Sequence, residues 1–117
     1  RMLLVEPQFV LRRTIVTVAR DLAKVEFQEA TGIDRARVLL AGEACRGLVL
    51  DLHEGPKAME LVDDVRLGRF KTAQDVLVVA LAAQLSDGDA ARLRALGVTQ
   101  VLRKPFKIGD LLTAIGV

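Results

Sequence analysis

Three charged residues follow apolar runs of the sequence and are its first candidates for chemistry. Glu6 follows MLLV, Asp51 ends GLVLD, and Lys104 comes shortly after a run that ends at Leu102. A carboxylate can hold a cation or attack an electrophilic centre, and an ammonium group can neutralise it. No Cys, His or carboxylate cluster has zinc-ligand spacing, and no GxGxxG or Walker-type loop is present. Chemistry at these residues therefore requires a fold that brings them together.

The apolar runs themselves predict buried parallel strands. Met2 to Val5, Gly47 to Leu52 and Val76 to Ala83 lack polar alternation, which is typical of strands covered on both faces. Two more strands are predicted over Ala23 to Phe27 and Val98 to Leu102. Between the strands, apolar residues recur at helical spacing. The five stripes are Val10, Leu11, Ile15, Val18 and Leu22; Ala36, Leu39, Leu40 and Ala44; Ala58, Leu61, Val62 and Val65; Leu93 and Leu96; and Ile108, Leu111, Leu112 and Ile115.

This alternation predicts a single α/β domain over residues 1–117, with a doubly wound, five-stranded parallel sheet. Ligands of such folds bind outside the carboxyl ends of the strands, where the strand order reverses. Glu6, Asp51, Ala82 and Lys104 all fall at or just past a strand's carboxyl end. We therefore expect these four positions to converge.

Composition excludes several classes of function. Aromatic residues make up 3% of the chain, with no Trp or Tyr, so stacking platforms for single-stranded nucleic acid are not expected. The net charge is +2 without a basic run, which does not indicate nucleic-acid binding, and no apolar stretch reaches membrane-spanning length. The single Cys45 cannot form an internal disulfide, is expected to be inert, and suggests a reducing, cytoplasmic setting.

The ordered set LLVEP, VLDL, ALAAQ and LRKPF resembles the receiver domain of two-component response regulators, the CheY-like family. The resemblance covers essentially the whole chain. It implies the flavodoxin-like (βα)5 receiver fold and a role in bacterial phosphorelay signal transduction, without enzymatic turnover. It also implies that Asp51 accepts a phosphoryl group from a sensor histidine kinase, which would make the chain a phosphoprotein.

The same resemblance implies a Mg²⁺ site that departs from the family pattern. The ligands it implies are Glu6, Asp51 and the backbone carbonyl of His53. Pro7 stands where the family has a second acidic residue, so one charge and one oxygen ligand are missing. We expect weakened Mg²⁺ binding, which a Pro7→Asp substitution should strengthen.

Two residues that would transmit the effect of phosphorylation also depart from the family pattern. Ala82 stands where the family has a hydroxyl, and Val101 stands where it has an aromatic ring. Lys104 and Pro105 are retained, and the family's Lys-Pro bond is often cis. Lys104 would contact Asp51 or a phosphoryl oxygen, or alternatively form only a neutralising salt bridge. His53 is expected to be exposed and to tune dephosphorylation rather than act as a general base, with Glu54 and Gln84 at the rim.

Two functions are consistent with these residues. One is a receiver with Asp51 as phosphoacceptor and an impaired metal site and switch; the other is a phosphorylation-independent pseudo-receiver that acts as a protein-interaction module. A small-molecule-binding α/β domain is a third class. The expected partners are a sensor histidine kinase or another signalling protein, without nucleic acid or membrane. A homodimer through the fourth helix, fifth strand and fifth helix would use Arg92, Arg94, Lys107 and Asp110.

Overall fold

Five strands alternate with five helices along the chain, and the computed structural model describes all residues from 1 to 117. The strands are β1 (Met2–Val5), β2 (Phe27–Ala30), β3 (Gly47–Asp51), β4 (Leu77–Ala82) and β5 (Gln100–Arg103). The helices are α1 (Phe9–Ala23), α2 (Ile33–Gly42), α3 (Pro56–Arg66), α4 (Asp87–Ala95) and α5 (Ile108–Ala114). No helix is both long and apolar enough to cross a membrane.

All strand pairs are parallel, and the sheet order is β2-β1-β3-β4-β5. The predicted doubly wound parallel sheet is therefore confirmed. The chain leaves β1 toward β2 on one side and later returns to β3 on the other, so the strand order reverses between β1 and β3. Val5 is in register with Leu50 at this point, and Glu6 and Asp51 each come one residue later. The topology thus places both carboxylates at the crevice where doubly wound folds bind ligands.

The helices cover both faces of the sheet, which explains why the central strands are apolar throughout. Residues from α2, α3 and α4 pack with Leu48 and Leu50 on one face, and residues from α1 and α5 pack with Val49 on the other. Every residue of β3 is buried, including Asp51 at its end. The unbroken apolar run is therefore the sequence signature of a two-sided core.

The boundaries of β2 and the core face of α1 differ from the sequence predictions. The strand predicted over residues 23–27 lies at Phe27–Ala30, because α1 continues to Ala23 and ends at Lys24 in a left-handed conformation (φ 58°). Val10 and Leu22, predicted as core, are exposed. The buried face of α1 is instead rotated from the predicted one. It is formed by Arg12, Ile15, Val16 and Ala19.

Other boundaries shift by one or two residues. Helix α2 ends at Gly42, so Ala44 lies outside it. Strand β4 is shorter by one residue at each end than predicted, and β5 begins two residues later, at Gln100. None of these shifts moves a strand's carboxyl end by more than one residue, so the candidate site is unaffected.

Candidate functional site

Glu6 is held in the loop between β1 and α1 by contacts to its backbone and its carboxylate. Its backbone N–H donates to the Ala30 carbonyl at 3.0 Å, and its Oε2 accepts from the Gln8 N–H at 2.9 Å. Arg12, itself buried, donates from Nη1 to the Glu6 carbonyl at 3.0 Å and from Nε to Glu29 Oε1 at 3.0 Å. The side chain of Glu6 is fully buried. The loop therefore presents this carboxylate in one fixed position.

Asp51 ends β3, one strand away from Glu6, and is 4% exposed. Its Oδ2 accepts the backbone N–H of His53 at 3.0 Å, the short-range bond by which an Asp orders the turn that follows it. The next residue, Leu52, donates its backbone N–H to the Leu81 carbonyl at 2.9 Å. The carboxylate is thus anchored to the sheet edge and to its own loop.

Lys104 follows β5 and reaches both carboxylates. Its backbone N–H donates to the Ala82 carbonyl at 2.8 Å, and its bond to Pro105 is cis. The Nζ atom lies 2.5 Å from Glu6 Oε1 and 2.8 Å from Asp51 Oδ1. Both contacts are close ion pairs between the Lys104 ammonium and a buried carboxylate.

The charge state of Lys104 reflects this double contact. Burial by itself would lower the pKa of the Lys104 ammonium, but the contacts with Asp51 and Glu6 outweigh burial and raise it. Lys104 is therefore a firmly protonated cation between two carboxylates.

The remaining site residues line or border a cleft at this edge of the sheet. Pro7, Gln8, Leu52, His53, Ala82, Ala83 and Gln84 line it together with Asp51 and Lys104. The His53 side chain is 58% exposed, and its Nδ1 lies 3.5 Å from Asp51 Oδ2. Ala82 is buried at the end of β4, and Val101 on β5 is half-buried against the core on the α3 side. No Ser, Thr or Phe side chain lines this cleft.

Sequence reasoning missed the roles of Glu54 and Arg12. Glu54 was expected at the rim, but its Oε2 accepts the backbone N–H of Ile33 at 2.7 Å and caps the start of α2. The apolar stripe predicted for α1 does not include Arg12, yet the structure buries this side chain. Neither contact has a local sequence signal, because each joins residues that only the sheet topology brings together.

The carboxylate oxygens do not fit a divalent cation as they stand. Mg²⁺ demands near-octahedral oxygen coordination, yet Glu6 Oε1 and Asp51 Oδ1 both face the Lys104 ammonium. Glu6 Oε2 and Asp51 Oδ2 accept backbone N–H groups. No group of three or more Cys, His, Asp or Glu side chains is arranged to hold a metal ion.

Comparison with known proteins identifies the fold. The chemotaxis protein CheY4 of Vibrio cholerae is similar over 97% of this chain and 93% of its own, with a TM-score of 0.82 and 20% identity. A CheY-like receiver domain from Methanospirillum hungatei is similar over 98% and 89%, with a TM-score of 0.85 and 16% identity. This chain has the receiver fold.

A third neighbour with the receiver fold is described with a modified aspartic acid. It is a response regulator of Burkholderia pseudomallei, described with a phosphorylated aspartic acid, a calcium ion and citrate. It is similar over 99% of this chain and 66% of its own, with a TM-score of 0.76 and 23% identity. By sequence, the chain matches no family model and no curated protein. The structural comparison thus finds the fold that the ordered sequence motifs predicted.

Proposed function

We propose that this receiver-fold domain acts in two-component signal transduction and that Asp51 is its phosphoacceptor, modified slowly and incompletely. The observation that carries the proposal is the position of the Asp51 carboxylate, which ends the central strand β3, borders the cleft and contacts Lys104 at 2.8 Å. In doubly wound folds, this edge is where ligands bind and react.

The chemistry is a transfer of one phosphoryl group. An Asp51 oxygen forms a bond to phosphorus, the bond from phosphorus to the donor's leaving atom breaks, and the leaving group takes the electron pair. Each carboxylate oxygen accepts more than one contact, so Oδ2 can present a lone pair to the cleft while it accepts the His53 N–H. The Lys104 ammonium can offset charge on the transferred oxygens.

Two features favour slow transfer. Asp51 is only 4% exposed, so a donor must approach through the cleft beside His53 and Gln84. The Lys104 contact also stabilises the unmodified carboxylate, which lowers its tendency to react. Because the domain accepts a group and does not turn over a substrate, we do not propose an enzyme.

The neighbours support the same class of function. The Burkholderia pseudomallei regulator is described with a phosphorylated aspartic acid, and a Clostridium thermocellum neighbour is described as a signal receiver domain of a histidine kinase. We accordingly propose a sensor histidine kinase or a related phosphodonor protein as partner. The exposed charged face of α4, β5 and α5 is the surface proposed for pairing with a second copy.

Mass spectrometry after incubation with acetyl phosphate tests the proposal. We expect the mass of one phosphate to be added, slowly and to part of the population. Asp51→Asn should abolish the addition, whereas Asp89→Asn, at an exposed position in α4, should leave it unchanged. Labelling that persists in Asp51→Asn would show that Asp51 is not the acceptor.

A phosphorylation-independent interaction module is the second candidate. It is favoured by Lys104, which contacts both carboxylates, and by Ala82 and Val101, which provide neither a hydroxyl nor a ring. If neither acetyl phosphate nor a phosphorylated histidine kinase labels the folded wild type, this second candidate is favoured over the first.

A further inference from the structure

The Lys104 ammonium occupies the position from which a single cation contacts both Glu6 and Asp51. We infer that Lys104 is the resident cation of this acidic pair and that it excludes divalent cations such as Mg²⁺ from the site. This exclusion is a property of the side chains present and concerns cation binding rather than phosphoryl transfer.

Charge balance is the first argument. The Glu6 side chain is fully buried and that of Asp51 is 4% exposed, so water screens their mutual repulsion poorly. An ammonium 2.5 Å from one and 2.8 Å from the other compensates both. A divalent ion on the same two oxygens would either displace this ammonium or lie within a few ångströms of it, where like charges repel strongly.

The second argument is that Lys104 is fixed at this position. Its backbone is bonded to the end of β4 through the Ala82 carbonyl, and its side chain is only 14% exposed. Glu6 Oε1 and Asp51 Oδ1 both face this ammonium group. A divalent ion between these two oxygens would therefore have to displace a lysine that the fold holds in place.

The missing acid at Pro7 offers a competing explanation for weak Mg²⁺ binding. If the lost ligand is the limiting factor, Pro7→Asp should create a site while Lys104 stays in place. If Lys104 is the limiting factor, Pro7→Asp should add little, and Lys104→Met should create the site. The two explanations thus predict opposite orders of affinity for two single substitutions.

Calorimetric titration with Mg²⁺ and with Mn²⁺ distinguishes them. We expect no saturable binding by the wild type, little by Pro7→Asp, and binding by Lys104→Met that is tighter than the wild type by about tenfold or more. Lys107→Met removes a neighbouring exposed lysine and should behave as the wild type. Adding Glu6→Gln to Lys104→Met should abolish the new binding. Pro7→Asp binding as tightly as Lys104→Met would overturn the inference.

The Lys104→Met variant could also fail to fold. A measurement on the wild type tests the inference without this variant. Mg²⁺ titration followed by amide spectra should leave Gln8, Leu52 and His53 unshifted at millimolar concentration. Saturable shifts at these amides in the wild type would show that a divalent ion binds despite Lys104, and the inference would be wrong. Phosphorylation of Asp51 is scored separately by mass, so a failure of the proposed function leaves this result interpretable.

Discussion

At the scale of single residues, Lys104 compensates two carboxylates that the fold buries almost completely. Removing one partner of a buried ion pair leaves an unpaired buried charge, which costs about 3 to 5 kcal/mol. Here the removal of one ammonium would leave two carboxylates close together. The stability of this edge of the sheet therefore depends on the protonation of Lys104, and this dependence can be measured against pH.

We predict that Lys104→Met lowers the free energy of unfolding by about 3 kcal/mol at neutral pH. The contacts with Asp51 and Glu6 raise the pKa of Lys104 in the folded state above its value in the unfolded chain, about 10.4. The stabilisation is therefore fully present below the unfolded pKa and is lost as pH rises through the folded pKa. Urea unfolding from pH 7 to 11 should show a constant difference between wild type and variant up to about pH 10, and a declining one above.

The pH dependence of the unfolding free energy can be assigned to Lys104 for two reasons. The chain has no Tyr, so no phenol titrates in the same range. Lys107→Met, at an exposed position, should leave the free energy of unfolding within about 0.5 kcal/mol of the wild type. A difference for Lys104→Met that already declines between pH 7 and 9 would mean that the ammonium is not stabilised by the two carboxylates.

At the scale of elements, Glu54 connects two loops that meet only at the sheet edge. It lies between β3 and α3, and its carboxylate accepts the first N–H of α2 at 2.7 Å. Gly32, the residue before α2, leaves room for it, because a Cβ built there would be 2.9 Å from Glu54 Oε2. The backbone of Gly32 is extended (φ −169°), so any residue can adopt it and only the contact with Glu54 opposes a side chain.

We predict that Glu54→Ala and Gly32→Ala destabilise the protein through the same lost cap. Each should cost about 1 kcal/mol in urea unfolding, the usual value of a helix N-cap. In the Glu54→Ala background, Gly32→Ala should cost almost nothing, because the carboxylate that it displaces is already gone. Gly42→Ala, where a Cβ meets no atom within 4 Å, should show no such coupling to Glu54→Ala. Additive costs for Gly32→Ala and Glu54→Ala would contradict the shared mechanism.

Which elements could be predicted from sequence depends on how many faces they bury. β1, β3 and β4 were located within one residue at each end, because strands covered on both faces are unbroken apolar runs. β2 was misplaced because it is an edge strand of sequence FQEA, in which two of four residues are polar. The core face of α1 was misassigned because Arg12 takes a buried position that periodicity reserves for apolar residues.

At the scale of the whole molecule, the parallel topology alone predicted that Glu6, Asp51, Ala82 and Lys104 would converge. Strands that run in one direction end at one edge, so residues distant in sequence meet there. The topology could not predict that Lys104 contacts Glu6 as well as Asp51, because a side chain's choice of partner depends on distances of a few tenths of an ångström. The positions of the site residues were thus predictable, whereas their pairing was not.

The propagation of a signal across the molecule is limited by what lies between Asp51 and β5. A modified Asp51 can shift a conformational equilibrium only through contacts that differ between the two states. Ala82 is the residue of β4 that lines the cleft, and it has no hydroxyl to bond a phosphoryl oxygen. Val101, in register with Ala80 on the neighbouring strand, has no ring to reorient. A change at Asp51 therefore has no hydroxyl contact on β4 and no ring on β5 through which it could alter the conformation of these strands.

We predict that phosphorylation of the wild type shifts the amide signals of the cleft residues alone and leaves those of α4, β5 and α5 nearly unchanged. Ala82→Ser together with Val101→Phe should extend the shifts across β5 and α5, since a hydroxyl adds a contact available only to the modified state. A differential contact of about 1.4 kcal/mol changes the population ratio tenfold. Val101→Phe alone adds the ring without the hydroxyl, so it is the matched control and should leave the response local. Shifts that spread over α4, β5 and α5 in the phosphorylated wild type would show that the domain transmits phosphorylation by contacts other than a hydroxyl and a ring.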